Sequence, residues 1–333
     1  MKDKHRILVT GGAGFIGSNI VEALLKLDNI EYVRVLDNLA TGSLRNLEEF
    51  SQNAKLEFIE GDIRDFATCQ EAVRGIDLIS HQAALGSVPR SINDPQTTNE
   101  VNITGTLNVF IAAKEAKIPR VVYAASSSSY GDSPYLPKRE DVTGKPISPY
   151  SVTKLVNELY AHVFGNLYDI NFIGLRYFNI FGPKQDPNGA YAAVIPLFIK
   201  AMMDDTPITI NGDGQHSRDF TFVSNAVLAN IKALFTDRKD ALNEIYNIAT
   251  NERTTLIELY DHLKNISGSQ KKPIFGPPRL GDVKHSLADI SKAMNYLGYQ
   301  PAVRIKEGLQ KTFDWYTSDF NSTKKEQTNS EVA

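Results

Sequence analysis

The chain has 333 residues, 42% of them hydrophobic and 23% charged, which is typical of a globular protein with one large domain or two fused ones. The formal net charge of −3 gives no electrostatic reason to expect nucleic acid or an anionic membrane as a partner. The single cysteine, Cys69, excludes an intrachain disulfide, and no apolar run is long enough to span a bilayer. No signal-peptide pattern is visible and no metal site is predicted, so we expect a cytoplasmic protein.

The first motif joins a strand to a helix. Residues 6–10 have the pattern of a buried parallel strand, a helical pattern begins at Ser18, and Gly11, Gly14 and Gly17 lie between them. Glycines at this junction allow a tight turn, close approach of a pyrophosphate, and a helix N-terminus aimed at it. The alternative is a glycine-rich turn that serves packing alone. The position between a first strand and a first helix favours a dinucleotide site.

The next two strands end in acidic residues. The strand at residues 32–36 leads to Asp37 and Asn38, about twenty residues beyond the glycines, where an acid binds the adenosine ribose hydroxyls. A carboxylate there would repel a ribose phosphate, so NAD is favoured over NADP, although an aspartate is also common in a strand-ending turn. The strand at residues 56–59 leads to Asp62 and Ile63, which suit the adenine amino group and ring. Alternatively, Asp62 is an N-cap of the helix that follows.

Two further strands deliver small and hydroxylated residues. The strand at residues 77–81 leads to Gln82, Ala83 and Ala84, and the strand at residues 121–125 leads to a run of serines from Ser126 to Ser129. Ligands of such sheets bind beyond the carboxyl ends of the strands. We therefore predict an α/β, Rossmann-type doubly wound parallel sheet with one active site along this edge.

A helix with Pro149 in its first turn should carry Tyr150 and Lys154 on one face, a turn apart. A tyrosine phenol is a poor base at neutral pH, and a nearby ammonium should lower its pKa. With a serine close by, the pair would form a general acid–base centre for a sugar hydroxyl. The alternative is a surface helix that carries an unrelated tyrosine and lysine.

The composition changes after a sixth strand at residues 172–179. Prolines and glycines interrupt the alternation of strands and helices from Gly182 onward. We predict a cofactor domain at residues 1–178 and a smaller substrate-binding α/β lobe at residues 179–320, with the chain crossing between them and a polar tail at residues 321–333. Arg218 and Arg279 could clamp a diphosphate through bidentate hydrogen bonds, although salt bridges are the default for any one arginine.

Four stretches resemble the extended short-chain dehydrogenase/reductase superfamily. They are the glycine loop at residues 10–17, the Ser126 region, the Tyr150/Lys154 pair, and Arg176-Tyr177-Phe178-Asn179. Within that superfamily the chain resembles the UDP-hexose 4-epimerases. Residues 126–132 and 185–191 are similar to the bacterial enzymes that prefer UDP-N-acetylglucosamine and UDP-N-acetylgalactosamine.

The resemblance implies a role for each matching residue. Tyr150 is the base for the O4 proton, Lys154 tunes it and holds the nicotinamide ribose, and Ser126 is the catalytic serine. The residues expected to contact the cofactor are Gly11, Gly14, Phe15, Ile16, Gly17, Asp37, Asn38, Thr41, Gly42, Asp62, Ile63, Gln82, Ala83, Ala84, Asn102, Tyr150, Lys154 and Phe178. Those expected to contact the substrate are Ser127, Ser128, Asn179, Ala193, Thr209, Asn211, Arg218, Arg279, Asp282 and Ser286. Ser286 stands where strict galactose epimerases can carry a bulky tyrosine, and Ala193 stands where many relatives carry an asparagine.

The resemblance also implies a reaction. Bound NAD would oxidise C4 to a 4-keto sugar, which would swing about its phosphate bond and take the hydride back on its other face. A role in surface-polysaccharide precursor supply and a homodimer are implied too. One rival is a nucleotide-sugar 4,6-dehydratase, which needs an Asp-Glu pair where this chain has Ser127 and Ser128. A decarboxylase, a reductase and a non-catalytic NAD-binding regulator remain as further alternatives.

Overall fold

The protein is described from a computed structural model that covers residues 4–189, 191–277 and 283–331, with side chains described as far as Asp319. The strands are β1 (His5–Thr10), β2 (Ile30–Asp37), β3 (Leu56–Glu60), β4 (Leu78–His81), β5 (Arg120–Ser126), β6 (Asn171–Tyr177), β7 (Ile180–Phe181), β8 (Thr209–Asn211), β9 (Ser217–Arg218), β10 (Thr221–Phe222), β11 (Glu244–Ile248), β12 (Thr254–Thr255) and β13 (Ile274–Gly276).

The helices are α1 (Phe15–Leu25), α2 (Phe66–Ala72), α3 (Val88–Asn93), α4 (Pro95–Asn99), α5 (Thr106–Glu115), α6 (Pro149–Leu167), α7 (Val194–Met203), α8 (Val223–Phe235), α9 (Leu256–Ser267), α10 (Ser291–Leu297) and α11 (Ile305–Glu331). Short 3-10 turns lie at Leu44–Phe50, Ser127–Tyr130 and Lys239–Ala241, and a π-helical turn lies at Glu100–Gly105.

Seven of the described strands form one sheet in the order β3-β2-β1-β4-β5-β6-β11, with every neighbouring pair parallel. The order reverses beside β1, which is the switch point of a doubly wound sheet and places the loops after β1 and β4 next to one another. The predicted Rossmann-type fold is therefore confirmed.

Three apolar clusters hold these layers together. One packs α1 and α8 on one face of the sheet around Val9, Ile20 and Ala226, and a second packs α2, α5 and α6 on the other face around Phe110 and Phe172. A third fills a separate lobe built from α7, α9, α11 and the short strands. The active-site edge of the sheet thus faces a lobe with a core of its own.

The chain leaves the sheet earlier than the sequence predicted. β6 ends at Tyr177 rather than continuing through Phe178 and Asn179. Asn179 has a φ of 40°, a left-handed conformation that asparagine tolerates better than most residues, and the next residues pair as β7 with β10. We propose that the boundary between the two lobes lies at this turn. The later elements α8 and β11 return to the sheet, so the chain crosses between the lobes.

The helical region predicted at residues 96–116 is interrupted. A π-helical turn surrounds Asn102, whose side chain is fully buried and bonded to the backbone of Leu85 and to Thr153. Such turns widen a helix locally, often to satisfy a specific contact. Three hydrogen bonds from one amide account for the departure from a regular α-helix here.

None of the helices within the described ranges is both long enough and apolar enough to cross a membrane. Over the same part of the chain, no three histidine, cysteine or carboxylate side chains come close enough together to hold a metal ion.

Candidate active site

The glycine loop packs tightly against the sheet. Gly11 has a φ of +67°, and a Cβ there would lie 2.7 Å from the backbone of Ala83. A Cβ at Gly17 would lie 2.1 Å from the Gly11 carbonyl oxygen, so neither position admits a larger residue without movement. Helix α1 begins at Phe15, and its N-cap, Gly14, has no side chain to bond the first amides. Those amides form a helix N-terminus suited to a pyrophosphate.

Asp37 closes this loop from the end of β2. One carboxylate oxygen accepts the Ala13 N–H at 2.9 Å, and the other accepts the Leu39 N–H at 2.8 Å. The residue is buried but still lines the cavity described next. Asp37 therefore both shapes the loop and presents a carboxylate edge where a ribose is expected.

Asp62 is not a helix N-cap. Asp65 caps α2 instead, accepting hydrogen bonds from Ala67 and Thr68, because it directly precedes the helix. Asp62 binds Arg64 at 2.7 Å and accepts a hydrogen bond from Asn38 at 2.9 Å. The Arg64 guanidinium holds the pKa of the Asp62 carboxyl below its usual range. Asp62 thus remains charged after β3, where an adenine was predicted to bind.

The strand ends enclose a cavity of about 540 Å³, here called the first cavity. Of the residues predicted to contact the cofactor, those that line it are Gly11, Gly14, Phe15, Ile16, Gly17, Asp37, Asn38, Thr41, Asp62, Ile63, Gln82, Ala83, Ala84, Tyr150 and Lys154. The cavity runs from the acidic β2 and β3 ends, past the uncapped α1 N-terminus, to Tyr150. Its length, polarity and glycine floor fit an extended dinucleotide.

The first turn of α6 carries the acid–base residues. The Ser148 hydroxyl accepts a hydrogen bond from the Ser151 N–H, and the Ser151 hydroxyl accepts one from the Ser148 N–H. Pro149 occupies the first position of the helix. This reciprocal cap fixes where the helix begins. It confirms the predicted start and sets Tyr150 at the mouth of the first cavity.

Ser126 ends β5 beside Tyr150. Its hydroxyl accepts hydrogen bonds from the Ser128 N–H at 3.1 Å and the Ser128 hydroxyl at 2.9 Å, which leaves its own proton for another acceptor. Ser126 and Ser127 line the first cavity, and Ser128 lines neither cavity described here. Ser126 is the serine that interacts with the Tyr150 phenol.

Lys154 is almost fully buried one turn further along α6. Its ammonium nitrogen donates to the Ala124 carbonyl at 2.8 Å and lies 6.0 Å from the centroid of the Tyr150 ring. Burial lowers the pKa of Lys154 to about 8, and Glu158 opposes that shift. The ammonium is therefore mainly charged at neutral pH but close to its titration.

The pKa of Tyr150 differs from the prediction. Burial raises it, and the Ser126 hydroxyl is the group that lowers it, whereas Lys154 was predicted to lower it. The reason is geometric, because the Lys154 ammonium is held by Ala124 rather than by the phenol. In the protein alone, Tyr150 is thus a protonated phenol with a serine beside it.

Several polar residues around this centre gave no signal in the sequence. His81 lies between Thr10 and Thr106 at 2.7 and 3.0 Å, and burial followed by the Lys154 charge lowers its pKa to about 3. It is therefore neutral. In the sequence, only the position of His81 at the end of a buried strand could have suggested that it lies beside the acid–base residues.

Tyr177, at the end of β6, lines the first cavity. Its hydroxyl donates to Gln82 at 3.0 Å and accepts a hydrogen bond from Asn230 at 2.7 Å. Asn230 comes from α8, far along the chain, so no local pattern could have placed it there.

A second cavity of about 500 Å³ adjoins the first and shares Asn179 and Ile180 with it. It is bounded by α7, β8 and β9. Its lining includes the predicted substrate residues Asn179, Ala193, Thr209, Asn211 and Arg218. The other lining residues are apolar, so this is an apolar cavity with a few polar side chains, as is usual for a small-molecule site.

Other predicted residues lie outside both cavities. Gly42 packs against Ala13, Phe178 is fully buried in the core, and Asn102 is bonded to Leu85 and Thr153. For Asn102 this matches the usual role of a mid-helix asparagine, since its bonds hold the loop after β4 against the first turn of α6.

Three predicted substrate residues lie at or near the undescribed segment of the second lobe. Ser286 follows that segment, with its N–H donating to the Ser217 carbonyl at 3.0 Å, and it lines neither cavity described here. Arg279 and Asp282 lie outside the described residues.

This arrangement can perform reversible proton transfer at a hydroxyl held between the two cavities. A dinucleotide in the first cavity would lie along the strand ends with one end at Tyr150. A ligand in the second cavity would approach the first cavity past Asn179 and Ile180, which line both. The geometry therefore suits redox chemistry on the far end of a nucleotide-linked group.

Comparisons with known proteins agree with this geometry. The family model described as the NAD dependent epimerase/dehydratase family matches residues 7–249. The UDP-glucose 4-epimerase of Mycolicibacterium smegmatis is 37% identical over 313 residues, covering 93% of this chain and 98% of the relative.

Two solved structures share the fold over nearly the whole chain. The UDP-N-acetylglucosamine 4-epimerase of Methanobrevibacter ruminantium, in complex with UDP-N-acetylmuramic acid, is 38% identical with a TM-score of 0.90, covering 96% of this chain and 100% of that one. The UDP-glucose 4-epimerase of Thermus thermophilus, in complex with NAD, is 36% identical with a TM-score of 0.84, covering 94% and 99%. The chain therefore belongs to the NAD-dependent epimerase/dehydratase family, and its cofactor is NAD.

Proposed function

We propose that this protein is a 4-epimerase that interconverts UDP-N-acetylglucosamine and UDP-N-acetylgalactosamine, with UDP-glucose and UDP-galactose as further substrates. The observation that carries the proposal is that the cavity lined by the acid–base residues adjoins a second cavity and shares Asn179 and Ile180 with it. Tyr150 and Ser126 line the end of the NAD cavity, and Asn179 forms part of both cavities. A UDP-sugar with its uridine in the second cavity can bring its hexose to Tyr150.

The roles of the chain's own residues follow from their positions. When bound, NAD supplies reversible hydride transfer at C4 of the hexose. In its deprotonated form, which the Ser126 hydroxyl stabilises, Tyr150 takes the proton from the C4 hydroxyl and later returns it. Ser126 holds the sugar oxygen and the phenol in line. Lys154, whose ammonium is held by the Ala124 carbonyl rather than by the phenol, is assigned to the nicotinamide ribose.

The second cavity is proposed as the uridine diphosphate site. Thr209 and Asn211 of β8 provide polar groups along the uracil, and Arg218 of β9 provides positive charge for the diphosphate. A fixed uridine leaves the hexose to turn about its bond to phosphate, as the return of hydride to the opposite face requires.

Two observations support the N-acetylated substrates. The Methanobrevibacter structure that shares this fold carries the name of a UDP-N-acetylglucosamine 4-epimerase. Ser286 is a small residue held against β9 by its backbone, at the position where the galactose epimerases that this chain resembles can carry a bulky tyrosine. Room of this kind suits an N-acetyl group at C2.

A 4,6-dehydratase is the closest rival on the same scaffold. That reaction requires an acid next to the catalytic serine or threonine to protonate the leaving hydroxyl. The residues that follow Ser126 are Ser127 and Ser128, and their hydroxyls are far weaker acids than carboxyls. Epimerisation requires no such acid.

We also infer a homodimer. Val152, Leu159, Val163 and Leu167 form a stripe along α6 and are 46% to 68% exposed. Such a stripe is costly to leave in water, and a two-fold axis would pair it with the same stripe of a second copy. Light scattering should show a dimer at micromolar concentration and a monomer for Leu159→Lys. A wild-type monomer would contradict the inference.

The substrate proposal is tested by incubating the purified protein with UDP-N-acetylglucosamine, without added cofactor, and separating the products. We expect UDP-N-acetylgalactosamine to form until the two reach equilibrium, because each cycle regenerates NAD. Parallel reactions contain UDP-glucose and UDP-glucuronate. Loss of water from the sugar would indicate the dehydratase, and turnover of the other sugars alone would contradict the N-acetyl preference.

A further inference from the structure

A buried ion pair joins the helix of the acid–base residues to the sheet. Glu158 lies one turn beyond Lys154 on α6, and its carboxylate accepts bonds from Arg176 of β6 at 2.8 Å from Nε and 2.7 Å from Nη2. The two side chains are 4% and 3% exposed, and neither residue lines the cavities described above. A buried pair adds little net stability because desolvation offsets the attraction, so a role beyond stability is worth seeking.

Arg176 also touches the serine turn. Its guanidinium carbon lies 4.7 Å from the centroid of the Tyr130 ring, a cation–π distance. Tyr130 ends the 3-10 turn that Ser126 caps, and its hydroxyl donates to Asn247 of β11 at 2.6 Å. In the sheet, Arg176 pairs with Ala125, the residue before Ser126. One guanidinium is thus in contact with both elements that supply the acid–base groups.

We propose that Glu158 and Arg176 are positioning residues for the reaction, with Arg176 fixing the serine turn against α6 and Glu158 keeping the Lys154 ammonium charged. The proposal deepens the proposed function, since it concerns the same Tyr150, Ser126 and Lys154. Neither residue is expected to touch substrate or NAD.

The charges around Lys154 support the part assigned to Glu158. The groups that interact with it are the phenol of Tyr150 on its own helix, the imidazole of His81 on β4, and Glu158, which lies four residues further along α6 and is paired with Arg176 of β6. His81 is neutral and the Tyr150 phenol has a raised pKa, so Glu158 is the anion among these described groups. Removing the Glu158 charge takes away the group that opposes the effect of burial on Lys154, which disfavours the protonated form of Lys154.

The test combines three substitutions with a matched control. Glu158→Gln removes the charge at constant size, Glu158→Asp keeps the charge, and Arg176→Lys keeps the charge but loses the planar fork and the stacking. The control is Glu57→Gln, which removes the carboxylate of an arginine pair, 2.9 Å from Arg34, away from both cavities. NAD content and melting temperature are measured for every variant.

Two readouts separate positioning from stability. The first is the ¹³Cε chemical shift of Lys154 in lysine-labelled holoenzyme, assigned with Lys154→Arg, as a function of pH. The second is the pH profile of kcat and KM. Glu158→Gln should lower the Lys154 midpoint and the alkaline limb of kcat by roughly one pH unit or more, the usual effect of losing a close opposite charge. Glu158→Asp and Glu57→Gln should leave both near wild type.

Arg176→Lys should lower kcat by about tenfold or more, because a small displacement of catalytic groups is costly. KM should stay within about twofold and the alkaline limb should not move. An unshifted Lys154 midpoint in Glu158→Gln overturns the electrostatic part, and a wild-type kcat in Arg176→Lys overturns the positional part. If Glu158→Gln does not fold, Glu158→Asp provides the test. A fall in its Lys154 midpoint by roughly one pH unit or more, although the carboxylate is kept, overturns the role of the carboxylate charge.

The two proposals fail separately. The NMR titration needs no turnover. If the wild type epimerises no sugar but Glu158→Gln still has a lower Lys154 midpoint, the proposed function is refuted and the part assigned to Glu158 is retained. An active wild type whose variants match it in both readouts refutes the positioning role alone.

Discussion

Replacing Tyr150 by phenylalanine removes one oxygen from the acid–base centre and keeps the ring. That hydroxyl interacts with Ser126 and has no role in holding α6, whose start is fixed by Ser148 and Ser151. A positioned general base contributes about 10²–10⁴ in rate. At about 1.4 kcal/mol per tenfold, the loss is roughly 3–5 kcal/mol of transition-state stabilisation. We therefore expect kcat to fall by that factor while fold and cofactor are retained.

The assay follows conversion of UDP-N-acetylglucosamine by product separation, with NAD content measured after denaturation. The matched control is Tyr160→Phe, which removes a phenol hydroxyl ten residues further along the same helix and away from both cavities. The control should keep wild-type kcat. If Tyr150→Phe turns over within about threefold of wild type, Tyr150 is not the base. If it loses NAD or melts early, the phenol has a structural role that its contacts do not indicate.

Three further results are expected. Ser126→Ala should lower kcat by roughly ten- to a hundredfold, the worth of a hydrogen bond to a charged group, whereas Ser128→Ala, which alters a side chain outside both cavities, should change it by less than about threefold. Equal kinetic losses in the two would contradict the choice of Ser126. The Lys154 pKa of about 8 predicts that kcat falls as pH rises through about 8, because the charged form predominates below that pKa, and a profile that stays flat to about pH 10 would exclude this dependence. Ser286→Tyr should lower kcat/KM for the N-acetylated sugars by roughly five- to a hundredfold, since overpacking costs about 1–3 kcal/mol, and largely spare UDP-glucose. An equal fall for both sugars would remove Ser286 from the sugar pocket.

The first five strands were predictable because each is a short buried run that ends in a polar or glycine signal. The prediction differed from the structure where contacts with distant parts of the chain decide where a strand or helix ends. β6 ends at Tyr177 because Asn179 turns left-handed and β7 then pairs with β10, and no local pattern predicts a two-residue strand formed with residues about forty positions away. The π-helical turn around Asn102 likewise depends on Leu85 and Thr153.

The active site was predictable to the extent that strand ends supply it. Asp37 and Ser126 each end a strand and Ala83 lies just beyond one, so the fold alone brings them to one edge. Phe178, which was predicted to contact the cofactor, directly follows β6 and is fully buried in the core, and Gly42 packs against Ala13. The direction of the Tyr150 pKa shift could not be predicted from the sequence. It depends on the Ala124 carbonyl, which binds the Lys154 ammonium that was expected to act on the phenol.

The chemistry and the substrate choice depend on different parts of the protein. Tyr150, Lys154 and Ser126 are held by a capped helix, a parallel strand and buried polar contacts, all within the sheet and the helices packed on it. The second cavity is built from α7, short strands and loops of a lobe with a separate core. Loops accept substitutions more readily than a buried sheet edge. Similarity across the whole chain therefore constrains the proton and hydride chemistry more tightly than it constrains the sugar. The sugar preference has to be tested at residues of the second lobe, such as Ser286, rather than at the acid–base centre.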